Sequence, residues 1–398
     1  MFVSQKSSGL SHAVLKINWS GLHDHDPELF EESDFYGTVE YITALKTGAG
    51  ERGGFLFPQI YDGESCVAWG CFQEIQLIGD ELDELGRILS SDSSIALTAE
   101  AVLKKALRFG TGKSGLRILI AGNCQVSGPY GMFFRKGLPE EIKTEIWKVC
   151  MDSLEKEFDP FHFVLIKDIP VQENQSESLF PKLGFREIPV LPVMKLELQS
   201  TWLNMDNYLS SMSSKYRIRA KAAIKKGAEL VRELWDADKI KEHLTEIEHL
   251  YSQVYEKARF RLFRLNRSYF YELKKQLGEK LEFKAYYLRG NLVGFTTFIH
   301  GQNKADAHLI GMDYEANKSY SLYQNMLYDY VESAIRVNAH WLDLGRTAME
   351  IKSTVGAIPF NIRVYIKLKN SIFNSIACLM LENAQPRPWI QRHPFKHD

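Results

Sequence analysis

Cysteine is scarce and scattered in this chain. Its five copies, Cys66, Cys71, Cys124, Cys150 and Cys378, are odd in number and include no C-x-x-C pair, so neither a disulfide framework nor a cysteine-built zinc site is expected, only reduced and mostly buried thiols. Long apolar runs are missing too. No stretch reaches the roughly 18 residues that cross a bilayer, and the N-terminal MFVSQKSSGLSHAVLKINWSG lacks the charged start and long apolar core of a signal peptide. No charge of one sign is in excess: Lys and Arg number 49 against 50 Asp and Glu, which names no polyanionic partner. A soluble, cytoplasmic protein without a membrane span is expected. The run His23-Asp24-His25-Asp26 looks metal-like, but alternation on an extended segment brings only two imidazoles to one side, so a polar turn and no metal is the reading.

What is present is globular patterning over 398 residues, enough for two or three domains. Two halves meet near residue 200. In the first, residues 65–79 read as strand, 97–110 as helix, 116–123 as a buried strand followed by the turn CQVSGPYG, 139–158 as helix and 161–169 as strand. A short helix, a Lys-Leu-Gly-Phe turn and a final strand then run over 176–198. The second half opens on Trp202 and a basic helix, SSKYRIRAKAAIKKG, ending at Gly227. Helices over 238–258 and 270–281 follow, then three antiparallel strands over 281–314 with tight Arg-Gly-Asn and Gly-Gln-Asn-Lys turns. KNSIFNSIACLMLEN reads as a terminal helix and AQPRPWIQRHPFKHD as an extended tail. The halves share an order of strand, turn, helix, strand, Lys-containing turn and last strand. Lys182-Leu-Gly184 and Pro189 correspond to Lys352-Ser-Thr-Val-Gly356 and Pro359, which reads as an internal duplication.

Residues 308–356 carry the strongest functional signal. An apolar strand leads through a polar turn into a helix whose Leu322, Met326, Leu327, Tyr330, Val331, Ala334 and Ile335 recur at three-and-four spacing, and a second strand ends in Asp343-Leu-Gly345-Arg346. Strand-turn-helix-strand units hold acidic and phosphate-bearing ligands at the strands' carboxyl ends.

LFPKLGFREIPVLPVMKLEL resembles the closing helix-turn-strand of GNAT-fold acyltransferases. In the second half Trp202, SSKYRIRAKAAIKKG, LRGNLVGF, GMDYEANKSYSLYQNML and LDLGRTAMEIKSTVGA resemble, in order and spacing, the acyltransferase domains related to the Fem peptidoglycan transferases, over most of residues 200–368. The resemblance implies an α/β (α+β) fold of two GNAT-like domains, each a mixed, largely antiparallel sheet flanked by helices: a divergent copy over residues 1–199 and the acyltransferase domain over 200–398. GNAT domains transfer an acyl group from a CoA thioester to an amine, and Fem-type proteins take an aminoacyl group from tRNA. Both need amine deprotonation, an oxyanion stabiliser and a cradle for donor phosphates, with no covalent nucleophile obligatory.

On that reading the donor is acyl-CoA or acetyl-CoA, or aminoacyl-tRNA, and the acceptor a small-molecule or peptidoglycan-precursor-like amine. A non-catalytic glycan- or peptide-binding protein on the same shell is the reading from another class. Asn317, Lys318, Ser319, Tyr320 and Ser321 precede the helix and are the candidate phosphate seat, with Ser319 or Ser321 as a mere helix cap the alternative. CoA-using GNATs usually carry a Gly-rich loop here, whereas this chain has no glycine between Gly311 and Gly345. The resemblance implies that Arg346 and Lys352 face the cleft and neutralise donor phosphate or oxyanion; the alternative is a surface pair of Arg346 with Asp343 or Glu350. Asp313 and Tyr314 end the central strand as candidate proton acceptors, unless Asp313 caps the next turn. Lys215, Arg217 and Arg219, with Lys221, Lys225 and Lys226, form a basic face able to bind phosphates, and Tyr323 is a further substrate-side candidate. Gly122 to Gly131 in the first half could also approach an anion, and Arg259, Arg261, Arg264 and Arg267 with Phe260 and Phe263 could line an acceptor site.

Overall fold

The computed structural model describes residues 15–19, 21–22, 26–31, 35–50, 53–77, 115–158, 161–171, 179–258, 263–368 and 388–396. The first part of the chain supplies β1 (Lys16–Asn18), α1 (Val39–Ala49), β2 (Gly53–Leu56), β3 (Gln59–Asp62), β4 (Ser65–Gly70), β5 (Phe72–Leu77), β6 (Leu116–Ala121), β7 (Met132–Phe134), α2 (Glu140–Glu157), β8 (Phe163–Pro170), α3 (Leu179–Lys182), β9 (Arg186–Ile188) and β10 (Val193–Glu197). Next come α4 (Met205–Ser211), α5 (Ser214–Lys226), β11 (Val231–Trp235), α6 (Ala237–Glu242), α7 (Leu244–Lys257), α8 (Ser268–Leu277), β12 (Leu281–Leu288), β13 (Asn291–His300) and β14 (Lys304–Met312). The last elements are α9 (Tyr314–Tyr320), α10 (Leu322–Arg336), β15 (Trp341–Asp343), α11 (Met349–Ser353), β16 (Ile358–Phe360) and β17 (Ile362–Leu368).

Two sheets share one plan. The six-stranded sheet runs β2-β5-β6-β8-β17-β9 and the seven-stranded sheet β11-β12-β13-β14-β15-β10-β16. In each, the pairings are antiparallel except for one central parallel pair, β6 with β8 and β14 with β15. The strand beyond that pair is exchanged. β17, late in the chain, lies between β8 and β9, while β10 from the first part lies between β15 and β16. The two sheets are mixed and largely antiparallel, six strands of one corresponding in order to six of the other with β11 extra, and each lends the other a strand. A third sheet, β1-β3-β4-β7, adds to the first half.

Local chemistry explains several boundaries. The hairpin between β12 and β13 turns on two residues, Arg289 (φ 51°) and Gly290 (φ 81°), with Leu288 facing Asn291 across the ladder. Two positive φ values make it the turn whose twist suits a hairpin. α5 stops at Gly227 for a different reason than expected: its φ is −86°, not left-handed, and a Cβ there would lie 2.5 Å from the Asn325 side chain. Asn325 instead donates Nδ2 to the Ala223 carbonyl at 3.0 Å, a close approach that only glycine permits.

Four sequence readings change. Residues 65–79 are two strands, β4 and β5, in different sheets, and the final strand of 176–198 likewise divides into β9 and β10; continuous apolar runs conceal such changes of sheet. The helix over 238–258 breaks at His243 into α6 and α7. Residues 317–321 are not an open turn, because the Asp313 carboxylate accepts from Glu315 N (2.8 Å) and Ala316 N (2.9 Å) and starts α9 there. The chain then breaks at Ser321, whose φ of 52° and ψ of 42° are left-handed, before α10 begins. The readings at residues 97–110 and 369–383, His23 to His25, and Arg259 to Arg261 lie outside the described residues. The described part of the tail, residues 388–396, is extended as expected: Phe395 pairs with Met212 and packs on Trp202 and Tyr208.

One core spans both halves. Tyr41, Ile42 and Leu45 of α1 join Tyr269, Phe270 and Leu273 of α8 and Phe283 and Phe295 of the second sheet. Each such side chain removed from water is worth about 1.5–3 kcal/mol, so the halves are held as one body.

Candidate active site

The parallel pair of the second sheet is short. Only Lys304, Ala305 and Asp306 of β14 face Trp341, Leu342 and Asp343 of β15, after which β14 continues to Met312 while β15 ends. β14 therefore keeps β13 on one side and opens a wedge on the other, at the strands' carboxyl ends. An unpaired strand edge offers N–H and C=O groups to an extended ligand.

Asp306 and Asp343 are adjacent at the wedge's apex, and Lys195 of β10 faces Asp343, with Nζ 3.7 Å from Oδ2. Asp343 Oδ1 accepts from Gly345 N at 2.8 Å, fixing the turn after β15. That turn passes through Gly345 (φ 70°) and Ala348 (φ 55°) and brings Lys352 of α11 back beneath the strand ends. Lys352 is 5% exposed. Burial pushes its ammonium down to about 8, although Asp343 and Asp306 both favour the charged form. Burial, and then the neighbouring Asp343 carboxylate, hold Asp306 well above the ordinary carboxyl range; burial raises Asp343 as well.

Beside the apex β14 carries a bulge. Thr297 faces Leu309 and Phe298 faces Ala307, so His308 is the extra residue. Its Nδ1 lies 3.2 Å from Tyr36 Oη and its Nε2 2.6 Å from Tyr269 Oη. Burial drives His308 down to about 3, so the ring is neutral. Asp306, His308, Tyr36 and Lys195 escaped sequence reasoning. The available signal was Asp306-x-His308, two polar residues at strand spacing in an apolar run.

Arg346 reaches into the other half. Its Nη2 is 3.0 Å from Asp168 Oδ1, and its Nε donates to Ser127 Oγ at 3.2 Å. The alternative pair with Asp343 or Glu350 does not form: Asp343 faces Lys195, and Glu350 accepts from Arg392 at 3.0 Å. Arg346 and Lys352 thus both lie at the end of β15. Asp313 and Tyr314 do not join them. They stand beyond the far end of β14, seven residues past Asp306, roughly 20 Å away at about 3.3 Å per residue, with Asp313 occupied as the α9 cap and Lys257 Nζ 3.3 Å from the centre of the Tyr314 ring.

The donor-seat residues lie on α9 and its junction with α10. Asn317 Oδ1 accepts from Tyr323 N at 2.8 Å, Tyr320 Oη accepts from Arg289 Nη2 at 3.3 Å, and Lys318 and Ser319 are exposed. Ser321 makes the left-handed break and gives no side-chain cap. Tyr323 is half-buried, and burial raises its phenol. On α5, Lys215 and Arg219 are exposed and flank the Tyr216 ring at 5.9 Å each, while Arg217 is half-buried and donates to the Met212 carbonyl at 3.4 Å. Among the described residues no group of three or more His, Cys, Asp or Glu could hold a metal, and no helix is long and apolar enough to cross a membrane.

With this geometry in place the chain can be set beside known proteins. Residues 214–353 match the acetyltransferase (GNAT) domain family. Among solved structures, FemX is 12% identical with a TM-score of 0.50, covering 85% of this chain and 93% of its own. A tandem GNAT protein from the clavulanic acid biosynthesis pathway is 9% identical with a TM-score of 0.48, covering 83% and 88%. No curated protein sequence matches the chain. Residues 214–353 are thus similar to the GNAT acetyltransferase domain, and the chain shares the fold of FemX.

Proposed function

We propose that the chain is an N-acyltransferase that moves an acyl group, carried as acyl-CoA, onto a primary amine in the wedge between β14 and β15. The observation that carries this reading is Lys352: a buried lysine with its pKa near 8, at the apex of an open strand edge, is matched to accepting a proton at neutral to mildly basic pH. The amine nitrogen attacks the thioester carbonyl, the C–N bond forms, the C–S bond breaks and the thiolate leaves to be protonated. The surplus amine proton passes to neutral Lys352. Arg346 and the N–H groups on the edge of β14 that has no partner strand among the described residues beyond Asp306 stabilise the developing oxyanion. Asn317, Lys318, Ser319, Tyr320 and Ser321 seat the donor's phosphates, and Lys215, Arg217, Arg219 and Tyr323 receive an anionic, peptidoglycan-precursor-like acceptor. Asp313 and Tyr314 border the wedge's open end. Residues 200–398 carry most of the chemistry, and the first half helps shape the cleft, with β10 placing Lys195 at its apex. A CoA-linked reaction belongs in the cytoplasm.

One observation favours a second donor. No glycine lies between Gly311 and Gly345, and the Tyr323 amide at the start of α10 is already taken by Asn317, which suits aminoacyl-tRNA as well as CoA. Thermal stabilisation separates the readings. Acetyl-CoA raising the melting temperature, with acyl transfer to an amine panel, supports the proposal. Stabilisation by aminoacyl-tRNA alone moves the donor to tRNA, and stabilisation by glycans or peptides alone, without transfer, leaves a binding protein.

A further inference from the structure

The two halves bring the carboxyl ends of their central parallel strands together. β6 and β8 stay paired through Ala121 and Ile166, and Asp168 follows on β8; β14 and β15 stay paired through Asp306 and Asp343, and Arg346 follows β15. Asp168 is fully buried, and its φ of 63° is left-handed, a strained conformation for a non-glycine residue that persists only where the surroundings enforce it. Its Oδ2 accepts from Gly128 N at 2.9 Å and from Arg346 Nη2 at 3.2 Å, and lies 2.9 Å from Lys167 Nζ. Ser127 holds the same guanidinium at Nε. Nothing among the described residues accepts from Arg346 Nη1.

The first half's own cleft is filled. The Lys167 stem lies against Gly122, where a Cβ would be 3.1 Å from Lys167 Cγ, and Nζ donates to the carbonyls of Asn123 (3.0 Å) and Val126. The N–H groups of Cys124 and Gln125 bond to Gln73 Oε1 (2.9 Å) and Asn123 Oδ1 (3.0 Å). The glycine-containing loop that could have approached an anion instead wraps its carbonyls around an internal cation.

We propose that the chain has one composite donor site: the second half's wedge, with Arg346 held at its mouth by Asp168 and Ser127 of the first half, whose equivalent cleft is closed by Lys167. The inference rests on the acyl-CoA reading. Asp168 and Ser127 are positioning residues, which touch Arg346 rather than the donor.

Titration calorimetry of acetyl-CoA into the full chain tests it, with the melting temperature of every variant recorded. One acetyl-CoA should bind per chain. Asp168→Asn should weaken binding about tenfold, as loss of a charge-assisted contact does, and Ser127→Ala about threefold. Both effects should vanish in an Arg346→Ala background, because the coupling runs through that side chain. Should Asp168→Asn fail to fold, the Ser127 and Arg346 cycle alone decides. Two molecules bound per chain, or variants that lower the melting temperature with Kd unchanged, or losses that simply add, overturn the clamp while leaving the donor reading intact. No acetyl-CoA binding by the wild-type chain removes the donor reading and the clamp with it.

Discussion

Lys167 in the first half and Lys352 in the second are both buried beside the carboxyl end of a central parallel strand pair, and burial lowers the pKa of both. Their surroundings differ. Lys167 is bonded to two carbonyls and contacts the Asp168 carboxylate, so its three N–H groups are spoken for. Lys352 has two carboxyls near it but makes no hydrogen bond through Nζ within the described residues. The same sheet plan thus gives one lysine whose donors are all taken and one whose Nζ has no hydrogen bond among the described residues, and the number of fixed partners makes the difference.

Breaking the closed side should have the largest effect. Lys167→Met takes from Asp168 one of its two cations, Arg346 being the other, and leaves two loop carbonyls without their donor; removing one partner of a buried pair costs about 3–5 kcal/mol, to be read from denaturant unfolding. A loss under about 1 kcal/mol would mean that the loop is not built on Lys167. On the open side, Lys352→Met should lower acyl transfer by about 100-fold or more while the melting temperature stays within a few degrees; wild-type rates in that variant remove Lys352 from the chemistry.

The same lysine sharpens the comparison through pH. Unfolded, Lys352 titrates near 10.5, and folded near 8. Between those values the unfolded chain binds the extra proton, so stability rises with pH across that window, by about 3 kcal/mol at most. Below pH 8 both states are charged, and the full cost of the buried ammonium remains. Unfolding free energies from pH 7 to 10 should show this slope in the wild type and lose it in Lys352→Met, and acyl transfer should climb through pH 8. The smallest effect is expected at Asp313→Ala, which removes the α9 cap for about 1 kcal/mol and spares the rate. A drop in rate of tenfold or more would instead return Asp313 to the list of proton acceptors.

Much of the fold was legible because periodicity reports local structure. β12 to β14, α10 and the Arg289-Gly290 turn follow directly from alternation, three-and-four spacing and turn chemistry. The site was legible only in part. The placement of Arg346 and Lys352 at the end of β15 followed from their position after Asp343-Leu-Gly345, but the separation of Asp313 from them did not, since strand length converts sequence neighbours into distant points. The break at Ser321 and the bulge at His308 each depend on a single residue's conformation, which patterning does not report.

The amino-acid sequence by itself determined the two repeated strand-turn-helix-strand units and the basic helix α5, because propensity and apolar spacing act over a few residues. Tertiary structure alone decided that β10 and β17 change places, that Arg346 finds Asp168 rather than Asp343 or Glu350, and that Lys167 closes one cleft while Lys352 stays poised in the other. Each of these is a contact between residues far apart in the chain, and the energies of ion pairing and burial that select it exist only once the two sheets have met.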